Sequence, residues 1–109
     1  MTVKELAQKA DFEIAVSADT EREICGAYVG DLLSWVMGRA EADSAWITIM
    51  SNINVVAVAL LADVACVILA EGVKPDADML TSAKEKGINL LLSPHPAYLT
   101  AKVLCGFEI

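Results

Sequence analysis

The sequence predicts a three-layer α/β/α domain built on a mainly parallel sheet. Three observations carry that prediction. From Ala45 onward, strand-like and helix-like segments alternate, an order that implies right-handed crossovers and parallel strands. The run Ala65–Leu69 (ACVIL) is apolar on both faces, as a central strand covered by helices on each side must be. The 109 residues are 56% hydrophobic, with few aromatics and many small aliphatics. That length and composition fit one tightly packed domain spanning residues 1–109.

The elements follow in order. Thr2 with Glu5 matches a capping box, and Val3–Ala10 places Val3, Leu6, Ala7 and Ala10 on one helical face. Asp11–Val16 (DFEIAV) alternates polar and apolar residues as a half-buried strand does, and joins the sheet at its edge. Ser17–Glu23 is a polar, acidic loop, and Ile24–Val29 then passes through Gly26 to Gly30 and Asp31. Asp31 is placed to cap a short helix, Leu32–Met37, that Gly38 ends. Ala45–Met50 (AWITIM) is a strand by its β-branched and aromatic content. Ser51, Asn52 and Asn54 offer caps for a helix over Val55–Ala62, which is apolar nearly all round, and Asp63 breaks the pattern before the ACVIL strand. Pro75 and Asp76 open a helix that runs to Lys86 and stops at Gly87. Ile88–Leu92 is the next strand, and Ser93-Pro94-His95-Pro96 leads into a last helix, Ala97–Leu104.

Several function classes are set aside at this stage. Val55–Ala70 is apolar except for Asp63, but a membrane-spanning helix needs about 20 such residues. A central Asp adds a cost of roughly 2.5–3.5 kcal/mol to insertion. The first ten residues (MTVKELAQKA) are charged and amphipathic, with no apolar centre of the kind a signal peptide has. The expectation is a cytoplasmic chain with no membrane contact. A net charge of −7 argues against nucleic acid as a partner. Cys25, Cys66 and Cys105 are odd in number and widely spaced, with no CxxC pair and a single histidine, so neither a disulfide framework nor a metal site is expected. No cofactor is expected either.

Ligands of parallel sheets favour the crevice at the carboxyl ends of the strands. Three segments are predicted there: Ser51–Asn54, Ala70–Lys74 and Ser93–Pro96. Ser51, Asn52, Asn54 and Ser93 lie at helix starts, where backbone N–H groups attract anions, and Lys74 adds a cation. His95 is the one candidate general base, and Asp31 offers a carboxylate at another helix start. These six, Asp31, Ser51, Asn52, Asn54, Ser93 and His95, are the candidate ligand-binding residues. Helix capping also accounts for the serines, the asparagines and Asp31, and His95 reads equally as an exposed loop residue. Asp63 is expected to face solvent or a partner amide. Trp35, in the segment LLSWVM, has more apolar neighbours than one small helix buries, so core packing and a self-association surface both remain open for it.

The segment Ile24-Cys25-Gly26-Ala27-Tyr28-Val29-Gly30-Asp31-Leu32-Leu33-Ser34 resembles the opening of DRTGG-like domains. The Trp46-Ile47-Thr48 strand, the Asn54–Ala59 helix start, Ala65–Gly72, Pro75, Gly87–Leu92 with Ser93, and Ala97–Ala101 continue the resemblance over nearly the whole chain. The family includes the N-terminal domain of HPr kinase/phosphorylase, and similar domains accompany CBS pairs and phosphate acetyltransferase. The resemblance implies an HPr kinase N-terminal domain-like fold, related to the substrate-binding domain of Mur ligases. Where the family's Asp-Arg-Thr-Gly-Gly loop would lie, this chain has Ser51-Asn52-Ile53-Asn54, so no ligand role of that loop carries over. The better match is to stand-alone versions with the Gly-Asp-Leu-Leu-Ser segment.

Nor does the resemblance imply a kinase. Phosphoryl transfer in HPr kinase belongs to a separate P-loop domain, and this chain has no GxxxxGK(S/T), no Gly-Lys pair and no protein-kinase signature set. The expectation is a non-catalytic regulatory or interaction module, acting as a dimer or other homo-oligomer or on a partner protein. The alternative is a binding domain for a nucleotide or other phosphorylated metabolite at the crevice. An enzyme using His95 is the third reading.

Overall fold

A computed structural model describes every residue, Met1–Ile109. Helix α1 (Val3–Ala10) opens on the predicted capping box: Thr2 Oγ1 accepts from Glu5 N, and the Glu5 carboxylate accepts from Thr2 N. Strand β1 (Glu13–Val16) follows, then β2 (Ala27–Val29), α2 (Leu33–Arg39), β3 (Ala45–Thr48) and α3 (Ile53–Ala62). Strand β4 (Cys66–Leu69), α4 (Ala77–Lys86), β5 (Leu90–Leu92) and α5 (Ala97–Gly106) complete the chain. The sheet order is β1-β5-β4-β3-β2, with β2, β3, β4 and β5 parallel and β1 antiparallel to β5. The expected edge position of the first strand is observed.

The period-two alternation of the central strands divides the core into the predicted layers. Trp46, Val67, Leu69 and Leu90 pack on one face with Val36 of α2, Val55, Val56, Val58 and Ala59 of α3, and Met79 and Ala83 of α4. Ala45, Ile47, Cys66, Ile68 and Leu91 pack on the other with Val3, Leu6 and Ala7 of α1, Phe12, and Leu104 of α5. Each fully buried large side chain contributes roughly 1.5–3 kcal/mol. Trp46 is wholly buried and its indole N–H donates to the Gly30 carbonyl at 2.8 Å, which removes the cost of burying a polar group.

Several boundaries differ from the sequence reading. Strand β2 forms within Ile24–Val29, where three residues are too few for a hydrophobic period to register. Helix α2 runs through Gly38 to Arg39 rather than ending at Met37, and its cap position is Leu32, which makes no side-chain cap bond. Asp31 therefore does not cap α2. Helix α3 starts two residues earlier than Val55, because Asn52 supplies the cap by accepting from Asn54 N at 2.9 Å. Asp63 ends α3 in the left-handed conformation (φ 57°). It does not face solvent alone: Arg22 donates to its carboxylate at 2.9 Å and to its carbonyl at 2.7 Å, and to Asp43 at 2.9 Å.

Candidate functional site

The carboxyl ends of β2, β3, β4 and β5 come together at one edge of the sheet, as a parallel arrangement requires. There Asp31 bridges two strand ends. Its Oδ1 accepts from Thr48 Oγ1 at 2.7 Å and from Ile49 N at 3.0 Å, while the residue stays exposed. The Ser51 carbonyl accepts from Asp76 N at 3.2 Å, linking the α3 and α4 starts. Asn54 stands exposed in the first turn of α3.

Chain reversal after β4 rests on two consecutive left-handed residues, Glu71 (φ 64°) and Gly72 (φ 69°). Their amides donate to the His95 carbonyl at 2.7 Å and the Ser93 carbonyl at 3.0 Å. The Glu71 carboxylate then accepts from Ala97 N at 2.9 Å. Helix α5 begins at Pro96, which has no side-chain acceptor, so Glu71 supplies from a distant loop the negative charge that a helix N-terminus favours. Sequence reasoning missed this role. The only signal was the absence of a local cap at Pro96.

Ser93 is 1% exposed, and its hydroxyl lies 2.8 Å from Thr100 Oγ1 while accepting from His95 N at 3.2 Å. It lines a hollow of about 290 Å³ with Asp11, Glu13, Gly72, Lys74 and Pro94. A hollow of about 440 Å³ along β1, lined by Ile14, Pro75 and Leu80, shares Glu13, Lys74 and Leu92 with it. His95 lines a different hollow, with Leu99, Lys102 and Val103. Asp31, Ser51, Asn52 and Asn54 line none of these.

The six candidates thus share one end of the fold but divide into three places. Asp31 and the Ser51–Asn54 turn gather where β2 and β3 end, Ser93 lies by Lys74, and His95 faces the side of α5. Every buried side-chain nitrogen and oxygen already has a hydrogen-bond partner. No group of three or more His, Cys, Asp or Glu side chains is assembled to hold a metal, and no helix is long and apolar enough to cross a membrane.

Perturbed ionisation lies away from this edge. The Cys66 thiol, wholly buried in β4, is pushed up to about 12 because burial disfavours the thiolate. Burial alone would lower the Arg22 guanidinium, but hydrogen bonds to Asp43 and Asp63 outweigh it and raise it. Hydrogen bonds from the Thr2 backbone and hydroxyl lower the Glu5 carboxyl.

Comparison with curated proteins returns no match. Among solved structures, the chain is similar to the CBS and DRTGG domains of the regulatory region of Clostridium perfringens pyrophosphatase, a structure complexed with the activator diadenosine tetraphosphate. The TM-score is 0.73 at 12% identity over 94% of this chain, which establishes likeness of fold. The chain spans 45% of that structure's length. The profile of the DRTGG domain matches residues 5–107, and this chain belongs to the DRTGG domain family.

Proposed function

We propose that the chain is a non-catalytic regulatory module that works by associating with itself or with a partner protein. The observation that carries this reading is the outer surface of the α2–α3 layer. Helix α3 has no charged residue along its ten positions, and its outward stripe is Ile53, Ala57, Leu60 and Leu61, with Leu61 75% exposed. Trp35 on α2 is 52% exposed, which favours the surface alternative over core packing. Large apolar side chains left exposed on one layer support an interface there. Sedimentation across a concentration range, with identification of co-purifying proteins, tests the reading. It expects an assembled species, with itself or a partner, that is weakened without loss of fold by a lysine on at least one of two apolar surfaces, the α3 stripe (Leu60→Lys) or the β2 edge (Val29→Lys). A strictly monomeric chain that retains no partner refutes it.

A second reading is a small phosphorylated ligand, such as a nucleotide, at the crevice beside Lys74. It is supported by Lys74 having no ion-pair partner while facing the Ser93 hollow, and by open space beside Gly72. The regulatory region of the similar pyrophosphatase was complexed with a dinucleotide activator. Against it, the α3, α4 and α5 N-termini are already met by Asn52, Asp76 and Glu71. A thermal-shift screen of nucleotides and phosphate esters separates the readings, since ligand at 100 times its dissociation constant adds about 2.7 kcal/mol. A shift abolished by Lys74→Ala supports the crevice, and no shift from any of them removes it.

A further inference from the structure

The two edges of the sheet are protected unequally. Edge strand β1 carries Glu13, and its register breaks between Ile14 and Val16; charges and irregularities of this sort are how proteins keep exposed edges from pairing. Edge strand β2 has neither. The stretch Ile24–Gly30 (ICGAYVG) contains no charge and no proline in a chain of net charge −7. Gly26 accepts from Ala45 and Gly30 donates to Ile47, so the period of two turns the backbone groups of Ala27 and Val29 away from β3. Each offers one N–H and one C=O to the open edge.

We propose that β2 is the self-association edge, pairing antiparallel with β2 of a second copy about a two-fold axis at Tyr28. This rests on the self-association half of the reading above and gives it a place. In that pairing Ala27 faces the partner's Val29, and Val29 faces the partner's Ala27. All four outward N–H and C=O groups are then satisfied, and the two sheets become continuous.

Helix α2 supplies the flank. Leu32, Trp35 and Arg39 share one side by helical spacing, and Arg39 lines a hollow of about 300 Å³ with Ala27 and Tyr28, so that side faces the β2 edge. Leu32 is 56% and Val29 48% exposed. The Arg39 guanidinium stacks 3.9 Å above the Trp35 ring and has no ion-pair partner.

Charge complementarity selects a second copy over a foreign strand. Arg39 lies at the end of α2 nearest the start of β3, and Asp31 at the end of β2, with its Oδ2 making no hydrogen bond. The two-fold reverses the partner's α2 alongside this one, so Arg39 meets the partner's Asp31 and the pair forms twice. Two acidic chains thus approach along their uncharged edges, with an opposite-charge pair at each end.

Sedimentation equilibrium and the emission of Trp35 test this on the whole chain. The wild type is expected to form a dimer on concentration, with emission moving to shorter wavelength. Val29→Pro removes only an outward N–H, a position where edge strands tolerate proline, and Ala27→Lys adds an edge guard. Each is expected to weaken the dimer at least tenfold while melting as the wild type does. Leu60→Lys on the α3 stripe is expected to leave it intact. A dimer that survives both β2 changes but is lost in Leu60→Lys overturns the edge pairing and leaves the interaction-module reading standing. A wild type that stays monomeric while retaining a partner protein has the same effect. A monomer with no partner overturns both.

Discussion

Cys66 shows how burial of one atom becomes a pH dependence. Its thiol is raised from 9.0 to about 12, so the folded chain holds a proton that the unfolded chain gives up. Stability from this group is whole below pH 9 and is lost as pH rises towards 12. The denaturation midpoint is expected to fall across that window, and to fall less steeply in Cys66→Ala; equal slopes would exclude the thiol as the cause. A thiol reagent applied to the native protein is expected to modify the exposed Cys25 and Cys105 and spare Cys66. Asp31 is the other instructive residue. Position in the sequence makes it a helix cap, but its carboxylate is drawn to Thr48 and Ile49, seventeen and eighteen residues on. Asp31→Ala removes the acceptor of the buried Thr48 hydroxyl, which still accepts from Met50 N, and calorimetric melting is expected to register a loss of about 1–2 kcal/mol.

At the scale of elements, local caps were readable and distant ones were not. Thr2, Asn52, Asp76 and Gly87 act on amides or carbonyls within a turn of themselves. Asp76 Oδ1 accepts from Met79 N at 2.7 Å, so Asp76→Ala is expected to lower unfolding stability by about 1 kcal/mol. Gly87 closes α4 at φ 71° with open space around it. Gly87→Ala therefore meets no clash but a disfavoured backbone, and urea denaturation is expected to show a cost of about 1 kcal/mol. Glu71 lies outside that rule. It reaches α5 across 26 residues, and no periodicity or cap signature links them. Strand β2 was equally hidden: its partner Ala45–Ile47 lies in another part of the sequence, and three residues carry no period of their own.

Across the whole molecule, Arg22 joins segments that sequence analysis treats separately. It fastens the acidic loop after β1 to Asp43 before β3 and to the left-handed end of α3 at Asp63. Exposed ion pairs contribute little, but this guanidinium is half sheltered and also donates to the Asp63 carbonyl. Arg22→Met is expected to cost about 1–2 kcal/mol in thermal or chemical unfolding.

The sequence by itself determined the layers of this protein. Alternating strand and helix signals, an ACVIL strand apolar on both faces and in-place caps leave few other ways to bury so much aliphatic surface. It also determined which residues lie at the carboxyl edge of the sheet, because topology sends every loop after a parallel strand there. Tertiary structure alone decided how those residues are used. Ser93 is sequestered by Thr100, Asp31 is occupied by Thr48, and His95 is turned to the side of α5, since each hydrogen-bond partner arrives from elsewhere in the chain. It alone decided, too, that β2 rather than β1 is the unguarded edge. Exposure of an edge depends on which strand ends the sheet, and that is settled by the packing of all five.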